Sequence, residues 1–248
     1  MRIAALYDIH GNLPALEAVL EDVRRADVDQ LVIGGDVVPG PMPRESIECL
    51  RHLDLPVEFI QGNGDREVVA RMRGIETGTV PAAFREVMHW VAGMLDAEHE
   101  ELLDDWPETL VMNVEGLGDV LFCHATPWND MDIFTRLTPE DRLLPVFDEV
   151  DEQLVICGHT HMQFDRFVGP TRVVNAGSVG MPFGEPGAFW LLLGPDVELR
   201  RTPYDLEDAA RRTRETEYPQ ADDFADSSIL DPPSQEDVLE AFAETELT

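Results

Sequence analysis

The sequence predicts an α/β protein, a sheet containing parallel strands with helices on its faces and a second sheet packed against it. Three observations carry this. Apolar runs alternate with amphipathic helical stretches as far as Ile60. Beyond Pro107, strand-like runs joined by tight turns dominate. With 248 residues, 44% of them hydrophobic, the chain can bury one large core.

The elements follow in order. Arg2 to Tyr7 is an apolar strand, Leu13 to Arg25 sets Leu16, Val19, Leu20 and Val23 on one helical face, and Leu31-Val32-Ile33 completes a βαβ unit. A loop rich in Pro and Gly precedes a helix from Pro43 to Leu53, and a strand runs from Val57 to Ile60. Phe84, Val87, Met88, Val91 and Leu95 keep helical spacing, so residues 66–107 read as a helical insertion, a lid or a dimer contact. Strands follow at Leu110–Val114, Asp119–Cys123, Gln153–Cys157, Arg172–Val174, Ala188–Leu193 and Val197–Arg201. The domain is expected to span residues 1–203. Residues 204–248 read as an acidic tail with one short helix, Gln235 to Phe242, either solvated and docked by that helix or acting as a regulatory arm.

The formal charge is −32, and all 18 basic residues are Arg. Adaptation to high salt and a biased composition with an acidic tail both account for this. Either way, such a field repels nucleic-acid backbones, and a phosphorylated substrate would need cations at its binding site. Cys49, Cys123 and Cys157 form an odd set, two of them inside apolar runs, which favours buried reduced thiols. No export signal and no membrane span is evident, so the expected location is the cytoplasm.

Six motifs punctuate the chain, nearly all directly after an apolar run: Asp8-Ile9-His10, Gly34-Gly35-Asp36, Gly62-Asn63-Gly64-Asp65, His124-Ala125-Thr126, Gly158-His159-Thr160-His161 and Asn175-Ala176-Gly177-Ser178. Residues two apart at a strand end can turn both side chains to one face, so Asp8 with His10, and His159 with His161, can share one site. Asp, His and Asn oxygen and nitrogen donors suit borderline divalent metals rather than structural zinc. Asp36 could bridge a metal pair about 3.5–4 Å apart. Four of the seven histidines fall in these motifs, whereas His52, His89 and His99 lie in predicted helices and are assigned to packing or surface roles.

Taken in order, Asp8-x-His10, Gly35-Asp36, Gly62-Asn63, His124 and Gly158-His159-x-His161 resemble the calcineurin-like metallophosphoesterase superfamily, in particular its small bacterial and archaeal YfcE-like phosphodiesterase branch. The resemblance implies a two-sheet β-sandwich flanked by helices and a dinuclear centre. Asp8, His10, Asp36 and His161 would hold one ion, and Asp36, Asn63, His124 and His159 the other, with Asp36, Asn63 and His124 as candidate catalytic residues. Mn²⁺ is the expected metal, with Fe, Zn, Ni or Mg as alternatives. The activity implied is hydrolysis of a small-molecule phosphoester by in-line attack of a metal-bridging hydroxide. Asn175 and Ser178 would support the metal-binding loops, with Asp65 behind them. Asn12, Arg66, Thr126 and Trp128 are candidate substrate contacts, although a surface ion pair for Arg66 and a packed loop role for Trp128 explain those residues equally simply.

Gly64 departs from the pattern. Superfamily members often carry His there, thought to protonate the leaving oxygen, and proton transfer is worth about 10²–10⁴-fold. Aryl diesters or phosphoanhydrides, whose leaving groups need little protonation, are therefore the expected substrates, unless another group such as His10 or a metal-bound water supplies the proton. The alternatives are a phosphomonoesterase, a protein or dinucleoside-polyphosphate phosphatase, and a non-catalytic metal-binding scaffold. A homo-oligomer is compatible with all of these.

Overall fold

A computed structural model describes residues 1–245 and residue 247. The elements in chain order are β1 (Ile3–Leu6), α1 (Leu13–Arg25), β2 (Gln30–Ile33), α2 (Pro43–Arg51), β3 (Val57–Phe59), α3 (Asn63–Met72), a 3-10 turn (Ala82–Phe84), α4 (Arg85–Met94), α5 (Ala97–Asp104), β4 (Thr109–Val114) and β5 (Gly118–Cys123). Then come α6 (Glu140–Phe147), β6 (Leu154–Cys157), β7 (Phe164–Val168), β8 (Thr171–Asn175), β9 (Ala188–Leu193), β10 (Val197–Thr202), α7 (Leu206–Arg214), α8 (Ala221–Phe224), a π-helical turn (Ala225–Leu230) and α9 (Gln235–Ala243).

Ten strands form two five-stranded sheets, in the orders β10-β9-β1-β2-β3 and β4-β5-β6-β8-β7. The pairs β1–β2, β2–β3, β5–β6 and β6–β8 are parallel, whereas β9, β10, β4 and β7 pair antiparallel. This is the two-sheet sandwich flanked by helices that the sequence predicts.

The period of two along β1 explains why the sheets stack. Ile3 and Ala5 point into the layer between the sheets, where they meet Val120, Phe122, Ile156 and Val174. Ala4 and Leu6 point the other way, onto the apolar face of α1 made by Leu16, Val19, Leu20 and Val23. The second sheet repeats the pattern, with Leu121, Val155 and Val173 turned outward onto Leu143, Val146 and Phe147 of α6. Strands buried on both faces read as continuous apolar runs, which is why they were legible. Cys123 and Cys157 are buried, and all three thiols are free. No helix among the described residues is long and apolar enough to cross a membrane.

Several elements carry no clear sequence signal. In β7, polar Asp165 and Arg166 interrupt a short run, while α6 contains Pro145. After residue 203 the chain forms four helical pieces where periodicity showed one. Helix α7 sets Leu206, Ala209, Ala210 and Thr213 on one face, but the residues it buries are small, so the stripe carries little apolar weight in the sequence. Ala209, Ala210, Tyr218, Phe224 and Ile229 nevertheless join the core on the helical side of the first sheet.

Candidate metal centre

The C-terminal ends of six parallel strands, three from each sheet, meet along one rim. The loops leaving them deliver Asp8 and His10 after β1, Asp36 after β2, Asn63 at the start of α3 after β3, His124 after β5, and His159 and His161 after β6. Asn175 ends β8, and Ser178 lies in the loop beyond it. Ligands of open parallel sheets gather at this end because side chains from different strands converge there.

The backbone is bent to achieve it. Asp8, His10, Asp36, His159 and His161 all adopt the left-handed region, with φ of 54°, 49°, 51°, 65° and 56°. Such conformations persist in non-glycine residues only where the surroundings over-determine them, and they concentrate at functional sites. Here the loops are cross-tied. The Asp8 amide donates to the Gly35 carbonyl (3.1 Å), the His10 amide to that of Asp36 (2.9 Å), and the Gly180 amide to that of Asp8 (3.0 Å). Gly180 permits the last contact, because a Cβ there would sit 1.8 Å from the Ile9 carbonyl oxygen.

Hydrogen bonds behind the imidazoles set their orientation. Nδ1 of His10 donates to the Pro39 carbonyl (3.1 Å), that of His124 to Gly34 (2.8 Å) and that of His161 to Met181 (2.7 Å). Each Nε2 is thereby left with its lone pair facing inward. His10 Nε2 and His161 Nε2 approach to 3.1 Å. Asp8 Oδ1 lies 3.5 Å from His161 Nε2 and 3.9 Å from both His10 Nε2 and His124 Nε2. That oxygen is buried without a hydrogen bond, while Asp8 Oδ2 accepts the His159 amide at 2.8 Å. Asp36 spans the cluster, with Oδ2 3.7 Å from His10 Nε2 and Oδ1 3.8 Å from His124 Nε2. Asn63 Oδ1 is 3.0 Å from His124 Nε2.

Lone pairs facing one another around an orphaned carboxylate oxygen form a donor set that divalent cations would satisfy. Two overlapping groups have the necessary closeness, Asp8 with His10 and His161, and Asp8 with Asp36 and His124. Asp8 is common to both groups, and Asp36 Oδ2 also comes within 3.7 Å of His10 Nε2, whereas the sequence suggested Asp36 alone as the bridge. The His159 ring stands edge-on to that of His124, with centroids 5.2 Å apart, and lies outside both groups.

The electrostatics match this crowding. Burial pushes the Asp8 carboxyl up, but positive charge on protonated His161, ahead of His124 and His10, holds it well below the usual carboxylate range. Burial, followed by the His124 charge, lowers His159 to about 4. Burial and then the Asp36 charge push Asp65 up to about 7.

Behind the ligands, Ser178 Oγ donates to the Asp8 carbonyl (2.7 Å) and accepts from the Met181 amide (2.7 Å). The Met181 carbonyl in turn receives the His161 Nδ1 proton, so one hydroxyl braces two candidate ligands. Asn175 ties the loop by donating to the Gly158 carbonyl (2.6 Å) and Thr160 Oγ1 (3.1 Å). Asp65 Oδ1 accepts the amides of Val37 (2.9 Å) and Val38 (3.1 Å), steadying the chain just after Asp36. Ser178→Ala is expected to weaken Mn²⁺ binding about 10–100-fold while leaving the fold intact, measured by titration calorimetry. Unchanged affinity would show that the loop holds itself.

The four candidate substrate contacts are placed differently. Asn12 is fully buried, caps α1 through the Ala15 amide and donates to the Gly180 carbonyl. Thr126 is buried and bonded to Asp132 Oδ2 (3.0 Å). Arg66 forms a forked pair with Asp130 at 2.7 and 3.0 Å, and Trp128 stands exposed on the loop between. None of the four lines the cavity of about 440 Å³ that opens over the cluster. Its floor holds His10, Asp36, Asn63, His159 and His161, and its walls include Phe183 and Phe242. Sequence inspection missed those aromatics because nothing in the local pattern shows that the loop after Ser178 and the C-terminal helix fold over the cluster.

Residues 1–193 match the calcineurin-like phosphoesterase superfamily domain. An uncharacterized protein of Methanocaldococcus jannaschii is 27% identical over 238 residues, spanning 88% of this chain and 94% of its own length. The phosphodiesterase YfcE of Escherichia coli is 26% identical, over 79% of this chain and 89% of its own. Among solved structures, a metallophosphoesterase from Sphaerobacter thermophilus superposes with a TM-score of 0.73 at 27% identity, covering 92% of this chain and 99% of that one. A hypothetical protein of Pyrococcus horikoshii shares the fold with a TM-score of 0.79 at 22% identity, covering 94% and 99%.

Proposed function

The chain belongs to the calcineurin-like phosphoesterase superfamily, and on that premise we propose that it is a metal-dependent phosphodiesterase. The observation that carries the reading is the convergence of three inward-facing imidazole Nε2 atoms on the orphaned Oδ1 of Asp8 at the base of a cavity. Asp8, His10, Asp36 and His161 would hold one divalent cation and Asp36, Asn63, His124 and His159 a second, with Asp8 also within reach of both groups. Bound there, the cations supply Lewis acidity, lowering the pKa of water and offsetting charge on the phosphate oxygens.

The chain's own residues do the rest. The carbonyls of Pro39, Gly34 and Met181 hold the imidazole protons on the outer nitrogens, so no ring has to reorient. Asp65 and the Gly64 amide, which donates to Asp36 Oδ1 at 2.7 Å, hold the Asp36 carboxylate in place. Overall, water adds to phosphorus, one P–O ester bond breaks, and a monoester and an alcohol leave, with a proton from water passing to the departing oxygen. Gly64 offers no side chain to deliver that proton, which favours esters with weakly basic leaving groups. The phosphodiesterase YfcE, a relative, accords with a diester substrate.

With Mn²⁺, hydrolysis of a bis-aryl phosphate is expected to exceed that of the matching aryl monophosphate by at least about tenfold, read as kcat/KM. Faster monoester turnover would overturn the diester preference and favour a phosphomonoesterase.

A further inference from the structure

We propose, resting on the phosphoesterase reading above, that the substrate carries an uncharged aryl or alkyl ester group, and that nucleotides and other phosphoanhydrides with additional charges are excluded. The argument is the composition of the cavity above the cluster. Phe84, Met88, Met131, Phe183, Tyr218 and Phe242 wall it, drawn from the 3-10 turn, α4, three loops and α9. Among the described residues that line it there is no Arg, and the chain contains no Lys. Arg66, the nearest candidate by sequence, is not itself among the lining residues and is held by Asp130 at 2.7 and 3.0 Å and by Glu67 at 3.5 Å.

The two carboxylates on the lining point to the same conclusion. Asp36 belongs to the cluster, and buried Glu67 accepts hydrogen bonds from Thr77 Oγ1 (2.5 Å) and Thr79 Oγ1. A second phosphate would meet apolar carbon and Glu67, whose partner Arg66 is already shared with Asp130, so its desolvated charge would find no free cation on the lining. An aryl or alkyl group meets aromatic faces and thioethers, and Met side chains adapt to several shapes. The volume of about 440 Å³ falls within the range of small-molecule sites, about 300–1,000 Å³.

The far wall is tied to the floor by aromatic stacking. Phe183 stacks on His161 at 5.4 Å between centroids with planes 20° apart, and Phe242 of α9 meets Phe183 edge-on at 6.3 Å. The C-terminal helix is thus part of the chamber that the ester group enters.

Uncleavable phosphonates test this in the Mn²⁺-loaded full chain by calorimetry. Phenylphosphonate is expected to bind about tenfold tighter than methylphosphonate, and 4-carboxyphenylphosphonate no tighter than methylphosphonate. Phe242→Ala and Met131→Ala should each shrink the phenyl-to-methyl ratio toward one with methylphosphonate affinity unchanged, which also shows that the variants are folded. Equal binding of phenyl- and methylphosphonate by the wild type, or tighter binding of the carboxyphenyl compound, would overturn the inference while leaving the phosphoesterase reading intact. If no phosphonate binds and no diester is hydrolysed, both fail together.

Discussion

Asp8→Asn is expected to reduce Mn²⁺-dependent diester hydrolysis by more than about 100-fold, since residues merely behind metal ligands account for about 10–100-fold. The substitution is isosteric, and an amide oxygen can still accept the His159 main-chain N–H that now bonds Asp8 Oδ2 at 2.8 Å. The fold should therefore survive. What disappears is the charge on Oδ1, the buried oxygen within 3.5–3.9 Å of three imidazole nitrogens. A second measurement separates metal binding from chemistry. Saturating metal at about 100 times its Kd stabilises a folded protein by about 2.7 kcal/mol, so wild type should melt several degrees higher with Mn²⁺ and the variant should not. Full diester turnover by the variant in a metal-replete preparation would remove the catalytic reading of the cluster.

Gly64→His is expected to fail as a restoration of the missing acid. A Cβ at position 64 would lie 2.6 Å from Pro39 Cγ and 2.9 Å from Asp36 Oδ1. The proline ring gives little, and the carboxylate is held by the Gly64 amide at 2.7 Å, so any added side chain pushes on a candidate metal ligand. Overpacking of this kind costs about 1–3 kcal/mol. The variant should melt lower, bind Mn²⁺ more weakly, and show no gain in monoester turnover; Gly64→Ala should lose comparable stability. Combining Gly64→His with Pro39→Ala removes the nearest obstruction and should recover part of the melting temperature. A single Gly64→His variant with unchanged melting and raised monoesterase activity would show that the absent acid alone limits the enzyme. Gly64 and Pro39 thus form one packing unit, and the glycine reflects its neighbour as much as the chemistry.

The candidate site was legible to an unusual degree because its residues follow strands. Asp8, His10, Asp36, His124, His159 and His161 each sit within a few residues of an apolar run, and a strand end is a place where local sequence already implies direction. The residues that wall the cavity were not legible, for the opposite reason. Arg66 and Trp128 looked suited to a phosphate and a base, yet Arg66 is paired with Asp130, and the loop presents Met131 to the cavity. Helix α7 was equally hidden, since the residues on its buried face, Ala209, Ala210 and Thr213, are small and most of the rest of the helix is charged.

What the sequence determined by itself is nine of the ten strands, the alternation of strand and helix as far as Ile60, and the donor atoms that the strand ends carry, because these depend on periodicity and residue type within a few positions. Tertiary structure alone decided three other things: that Asp8 as well as Asp36 reaches both halves of the cluster, that main-chain carbonyls from distant loops fix each imidazole, and that Phe242 of the last helix closes an apolar chamber over the site. Each depends on distances of a few ångströms between segments far apart in the chain, and no local pattern encodes such distances.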